Sequence, residues 1–121
     1  MWCKKMIKYY WDGENWLIVS KNKYLIKYYF DNKLHRSDGP ACIGYYNDGS
    51  IGMEQYYVNG LRHRIDGSAI IEYYKNGNIK KEKYFFNGII FNLDELSFQL
   101  PIDSEEKKFM LKLKYGDIYE D

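Results

Sequence analysis

Apolar residues in the middle of the chain alternate with polar ones instead of recurring at helical spacing. Ala41, Ile43 and Tyr45 share one parity, and so do Ala69, Ile71 and Tyr73, which is the period of a half-buried strand. β-Branched and aromatic residues are enriched in these runs. Turn sequences separate them: Asn47-Asp48-Gly49-Ser50 and Lys75-Asn76-Gly77-Asn78, then Asn59-Gly60 and Asn87-Gly88. Gly49 and Gly77 can take the positive φ that a tight hairpin requires. The pattern predicts strands near residues 41–46, 51–58, 69–74 and 79–86. Two earlier strands are predicted near 5–11 and 16–30, the second broken around Lys21 to Lys23. The expected fold class is mainly β, an antiparallel meander of repeated hairpins.

The meander is internally repeated. Tyr28–Gln55 laid over Tyr56–Lys83 matches at 13 of 28 positions without a gap, and a fixed period of this length marks a stacked array. Tyr28/Tyr56, His35/His63, Arg36/Arg64, Asp38/Asp66, Gly39/Gly67, Ala41/Ala69 and Glu54/Glu82 are among the shared pairs. A third copy opens at Tyr84-Phe85-Phe86-Asn87-Gly88 and stops, because Phe91 and Asn92 stand where His-Arg is due. Upstream, Tyr9-Tyr10-Trp11-Asp12-Gly13 has the same opening. Two full units flanked by degenerate caps are what a stacked array needs at its ends.

The last thirty residues differ in kind. Pro101 interrupts, and Asp103 with Glu106 has capping-box spacing. Phe109, Met110 and Leu113 then share a helical face, with Lys112 and Lys114 near the C-terminal end. This predicts a C-terminal α-helix, and a shorter helical turn near 94–99. The expected organisation is a sheet over residues 1–91 and a helical segment over 92–121.

Composition narrows the function classes. The 121 residues include 14 Tyr, 6 Phe and 3 Trp, too aromatic for a disordered chain. A formal net charge of +1 removes the polycation signal of a dedicated duplex-binding protein. That charge is unevenly divided: residues 1–91 hold 14 Lys/Arg against 9 Asp/Glu, and residues 92–121 hold 4 against 8. No apolar stretch has the length of a signal peptide or a membrane span, so a cytoplasmic location is expected and membrane binding is not. Two cysteines, Cys3 and Cys42, do not make a disulfide scaffold, and reduced thiols are expected.

Candidate chemistry is sparse. His35 and His63 each precede Arg and, one residue on, Asp-Gly. Two histidines and two scattered thiols do not fill a zinc site, so neither a metal nor a cofactor is expected. Asp38 and Asp66 are expected to bond turn amides or the neighbouring Arg, with Gly39, Gly67, Gly49 and Gly77 as structural turn residues. Glu54 and Glu82 invite comparison with a glycosidase carboxylate pair. Their equivalence in the repeat opposes this, since an acid and a base need different environments, and they are expected to pair with lysine. No phosphate loop, dinucleotide fingerprint or nucleophile elbow occurs, and no catalytic residues are expected.

One member of each Tyr45-Tyr46 and Tyr73-Tyr74 pair must face away from the buried side. Exposed Tyr beside Lys and Arg is the composition of a protein hot spot, and also of a platform for single-stranded bases. The candidate partner-binding residues are Tyr46, Tyr74, Arg36, Arg64, His35, His63, Lys81 and Lys83.

The strings YYFDNKLHRSDGPACIGYYNDGSIGMEQ and YYVNGLRHRIDGSAIIEYYKNGNIKKEK resemble variant MORN-type repeats, and the His-Arg-x-Asp-Gly-Pro-Ala form is similar to repeat proteins of giant DNA viruses, phages and AT-rich bacteria. The resemblance covers residues 28–91, with Ser68 in place of the Pro at position 40. It implies a β-hairpin array and a non-catalytic binding protein. Antitoxin and immunity modules among such proteins imply a stoichiometric inhibitor, viral or phage counter-defence included, acting on a nucleic-acid-processing enzyme. The alternative is direct binding of single-stranded nucleic acid or an anionic membrane through the basic, Tyr-rich face.

Overall fold

The computed structural model describes residues 6–91. Its strands run in chain order β1 (Met6–Trp11), β2 (Trp16–Lys21), β3 (Leu25–Phe30), β4 (Lys33–Leu34), β5 (Cys42–Tyr45), β6 (Ile51–Gln55), β7 (Tyr57–Val58), β8 (Leu61–Arg62), β9 (Ile70–Tyr73), β10 (Ile79–Phe86) and β11 (Ile89–Phe91). The main sheet is an antiparallel meander ordered β1-β2-β3-β5-β6-β9-β10-β11. Two short arms leave this path: β4 folds back on β3, and β7 pairs with β8. No described residue is helical. The expected C-terminal helix and the turn near 94–99 lie outside the described residues.

The expected break in the 16–30 run is present, and the expected 51–58 strand is divided as well, each for a local reason. Asn22 Oδ1 accepts the N–H groups of Tyr24 and Leu25, which turns the chain between β2 and β3. Tyr56 gives its N–H to the Ala69 carbonyl while the Tyr57 carbonyl accepts from Arg36, so the 51–58 run leaves the sheet as the β7–β8 arm. The strands β4, β8 and β11 were not expected, because two or three residues are too few to show a period.

Hairpin turns follow the backbone freedom of their residues. Gly49 and Gly77 sit at φ 88° and 90°, and Asn59-Gly60 and Asn87-Gly88 are positive at both positions, as a two-residue hairpin turn of the I′ kind demands. The equivalent turn of the first unit is Asp31-Asn32, at φ 53° and 62°. It adopts the same shape without a glycine, which Asn and Asp tolerate better than other side-chain-bearing residues.

Register sorts the side chains onto two faces. Val19 lies opposite Tyr28, and Ile26, Ile43, Glu54, Ile71 and Glu82 form one cross-strand row on the same face. Leu17, Val19, Ile26 and Ile71 are buried there, and at the β1–β3 end the segment following β4 sets Arg36 above the rings of Tyr10 and Tyr28. A fully buried leucine such as Leu17 contributes about 2–5 kcal/mol relative to alanine. The opposite face carries Ile7, Ser20, Lys27, Cys42, Gln55, Ile70 and Lys83 in one row.

Candidate functional site

The His-Arg-x-Asp-Gly segment forms the same clasp in both units. Arg36 Nε donates to Asp38 at 2.7 Å and Nη1 donates to the Pro40 carbonyl at 3.2 Å. Arg64 does the same with Asp66 at 2.9 Å and the Ser68 carbonyl at 3.0 Å. Each guanidinium lies over the tyrosine that opens its unit, Arg36 over Tyr28 at 4.2 Å and Arg64 over Tyr56 at 4.0 Å. The glycine is explained by the same geometry: a Cβ at Gly39 or Gly67 would sit 3.0 Å from the Arg Cζ. The change from Pro40 to Ser68 leaves the clasp intact because the acceptor is a backbone carbonyl.

The histidines join one unit to the next. His35 Nδ1 accepts the N–H of Asn59 at 3.0 Å, and His63 Nδ1 accepts the N–H of Asn87 at 2.9 Å. Alongside, Gly60 N–H bonds the Leu34 carbonyl and Gly88 N–H bonds the Arg62 carbonyl. An accepting Nδ1 requires the imidazole to be neutral with its proton on Nε2. Burial lowers the pKa of His63 below its ordinary value, which favours that form. His35 is buried, with Nε2 4.0 Å from Asp12 Oδ2.

Asp12 ties the N-terminal cap to the first unit. It is buried and accepts N–H bonds from Glu14, Asn15 and Ser37. Burial pushes its pKa up, but these bonds outweigh it and the carboxyl titrates below its usual range. Tyr10 also donates to Asp38. Between the two clasp segments lies an open groove of about 540 Å³, lined by Glu14, His35, Arg36, Asp38, Arg64 and Asp66 among others. Its arginines already hold the aspartates beside them, so the groove presents no free cationic pair to a ligand.

The two repeated glutamates meet hydroxyls instead of the lysines expected from the sequence. Glu54 accepts from the Tyr73 hydroxyl at 2.6 Å, and Glu82 accepts from Ser68. Burial, the Glu54 hydrogen bond and its charge push the Tyr73 phenol up to about 12. Ile71 lies opposite both glutamates, which keeps them roughly 10 Å apart, two strand spacings. Burial also pushes up the Cys42 thiol, the opposite of what a nucleophile needs. Among the described residues no group of three or more His, Cys, Asp or Glu is placed to hold a metal, and no helix is long and apolar enough to cross a membrane.

The eight candidate partner-binding residues therefore divide. Arg36, Arg64, His35 and His63 are engaged in the clasps. Tyr46 is half-buried: its hydroxyl donates to the Tyr73 carbonyl, and its ring lies against Gly52. Tyr74, its equivalent, is exposed. Lys81 and Lys83 pair in register with Glu72 and Ile70, which puts them on the face opposite the clasps.

That face carries a feature the repeat alignment passed over. Ile7, Tyr9 and Trp11 on β1 lie beside Ser20, Ile18 and Trp16 on β2. Ile7, Tyr9, Trp11, Trp16 and Ile18 are 67, 75, 49, 65 and 45% exposed. The Trp11 and Trp16 rings are 5.6 Å apart. Three aromatic and two aliphatic side chains, contiguous and all 45% exposed or more, rival the roughly 300–600 Å² of the largest apolar patch on an ordinary monomer. The alternation at 7, 9 and 11 and at 16 and 18, around the Asp12-Gly13 turn, was the available signal.

No family model matches the chain, and no curated protein or solved structure matches it.

Proposed function

We propose that this chain is a non-catalytic protein-binding module built from MORN-like stacked hairpins, with the Ile7, Tyr9, Trp11, Trp16 and Ile18 patch as its recognition surface. The observation that carries the reading is that patch: large apolar side chains are left in water on one face, while the groups that resembled chemistry are engaged in bonds within and between the units. Lys27 on β3 lies beside the patch on the same face, opposite Ser20, and supplies a cation at its border suited to an acidic partner surface. The particular form is a stoichiometric inhibitor or immunity-type protein acting on a nucleic-acid-processing enzyme, which rests on the resemblance of the His-Arg-x-Asp-Gly repeats.

The test is a pull-down from the native host with mass spectrometry, followed by titration of the recovered partner against purified variants. Trp16→Ala or Ile18→Ala should weaken the complex by roughly tenfold or more, as loss of a hot-spot side chain does. Tyr74→Ala should leave it nearly unchanged. The same lysine and aromatic rings suit single-stranded bases, the second reading. Fluorescence anisotropy with labelled oligonucleotides near 150 mM salt decides between them, because phosphate binding loses affinity steeply with salt. Tight, Trp16-dependent oligonucleotide binding there would replace the protein partner with a nucleic acid.

A further inference from the structure

The two edges of the sheet are built differently. At one edge, β10 carries Lys80, Lys81, Glu82 and Lys83 and shifts register between Ile79 and Lys81, and β11 covers its Tyr84–Phe86 half. Charges and irregular register are the devices that stop an edge from adding another strand. At the other edge, β1 runs six residues in unbroken register with β2, from Met6 opposite Lys21 to Trp11 opposite Trp16. It contains one lysine and no proline, its Ile7, Tyr9 and Trp11 are exposed, and among the described residues only β2 pairs with it. A long, regular, apolar edge of this kind is a template for strand addition.

We propose that β1 pairs antiparallel with β1 of a second copy of this chain, across a two-fold axis at Tyr9. The sequence of the strand selects both the occupant and the register. A two-fold axis normal to the sheet keeps every side chain on its own face, so the residue at the axis sits opposite itself. Centring on Lys8 opposes two ammonium groups, which disfavours pairing. Centring on Tyr10 leaves only residues 9–11 to pair, since β1 ends at Trp11. Centring on Tyr9 uses residues 7–11 in full. On the exposed face Ile7 meets Trp11 of the second copy and Tyr9 meets Tyr9, both favourable cross-strand pairs. On the other face each Lys8 lies opposite Tyr10 of the second copy, so that no ammonium opposes another.

The dimer leaves the aromatic face open and makes it continuous, so that Ile18 and Tyr9 of one copy run on into Tyr9 and Ile18 of the other. It stands independently of the partner-binding reading, which concerns that face and not the strand edge.

Sedimentation velocity on the full chain supplies the first test, with a species of twice 14.6 kDa expected at roughly 100 μM, a concentration that populates a micromolar dimer. Tyr9→Lys should weaken association by at least about tenfold, since it sets two lysines face to face. Tyr9 is mostly exposed, so the variant should keep its fold, and circular dichroism verifies that it does. Cysteine crosslinking on a Cys3→Ser background then fixes the geometry. Tyr9→Cys should form an intermolecular disulfide under mild oxidation, because opposed Cα atoms in antiparallel strands are about 4.5–5.5 Å apart, within bridging range. Ile18→Cys should not, since the two copies of position 18 are three strand spacings or about 14 Å apart. A monomer at that concentration, full-strength dimerisation of Tyr9→Lys, absence of crosslinking at position 9, or crosslinking at position 18 would each overturn the proposal.

Discussion

The Nδ1 atom of His35 accepts the backbone N–H of Asn59 at 3.0 Å, and the same bond recurs between His63 and Asn87 at 2.9 Å. Each crosses from one unit to the turn of the next, 24 residues along. The histidine of the repeat is therefore a joint between units, and its protonation state decides whether the joint holds.

Acidification should loosen the stack. An unfolded histidine titrates near 6.5, whereas burial lowers the pKa of folded His63. Between the two values the unfolded chain binds more protons, so stability rises with pH. The contribution is complete above about pH 6.5 and is lost as pH falls through the lower folded value. Asp12, also lowered, contributes above its unfolded value of about 3.9 and is lost further down. Thermal melting from pH 8 to 3 should show the first loss in the wild type and not in His63→Asn, and the second in both.

Arginine cannot be exchanged for lysine in the clasp. Arg36→Lys keeps the charge but cannot reproduce the bonds to Asp38 and Pro40 from a plane stacked on Tyr28. A loss of about 1–3 kcal/mol is expected from charge-assisted bonds and ring stacking together, measured by urea denaturation. Equal stability of Arg36→Lys and wild type would mean that the stacking contributes nothing.

Equivalent tyrosines should respond differently to the same change. Tyr46→Phe removes the bond to the Tyr73 carbonyl of the next unit and should cost about 1 kcal/mol. Tyr74 is exposed at the end of the array, and Tyr74→Phe should be close to neutral. Paired denaturation curves check this contrast.

The Asp31-Asn32 turn can be improved. Asn32 sits at φ 62°, where glycine carries no Cβ penalty. Asn32→Gly should raise stability by a few tenths to about 1 kcal/mol, read from the denaturant midpoint. A decrease would indicate that the Asn32 side chain stabilises the turn by more than its backbone conformation costs.

Much of the local structure was legible in the sequence because it depends on near neighbours. Alternation at 41–45 and 69–73 marked strands, and Gly49 and Gly77 marked hairpins, since parity and positive φ are properties of a few consecutive residues. The 28-residue period carried the meander, because equal units under equal constraints stack in equal ways. Tertiary structure alone decided what the repeated polar residues do. Gly39 and Gly67 read as turn glycines, yet neither has a positive φ, and what sets them apart is that a Cβ at either would press on the guanidinium beside it, a contact set by where Tyr28 and Tyr56 stand. Glu54 and Glu82 read as partners for lysine and instead meet Tyr73 and Ser68, because register and not charge determines which side chain lies within reach. Which face of β1 and β2 stays in water was likewise undecided by their alternating pattern, since both faces carry aromatic residues. The clasp segment lies on one face, with Arg36 over Tyr10 and Tyr28, and Tyr9, Trp11 and Trp16 on the other face stay in water.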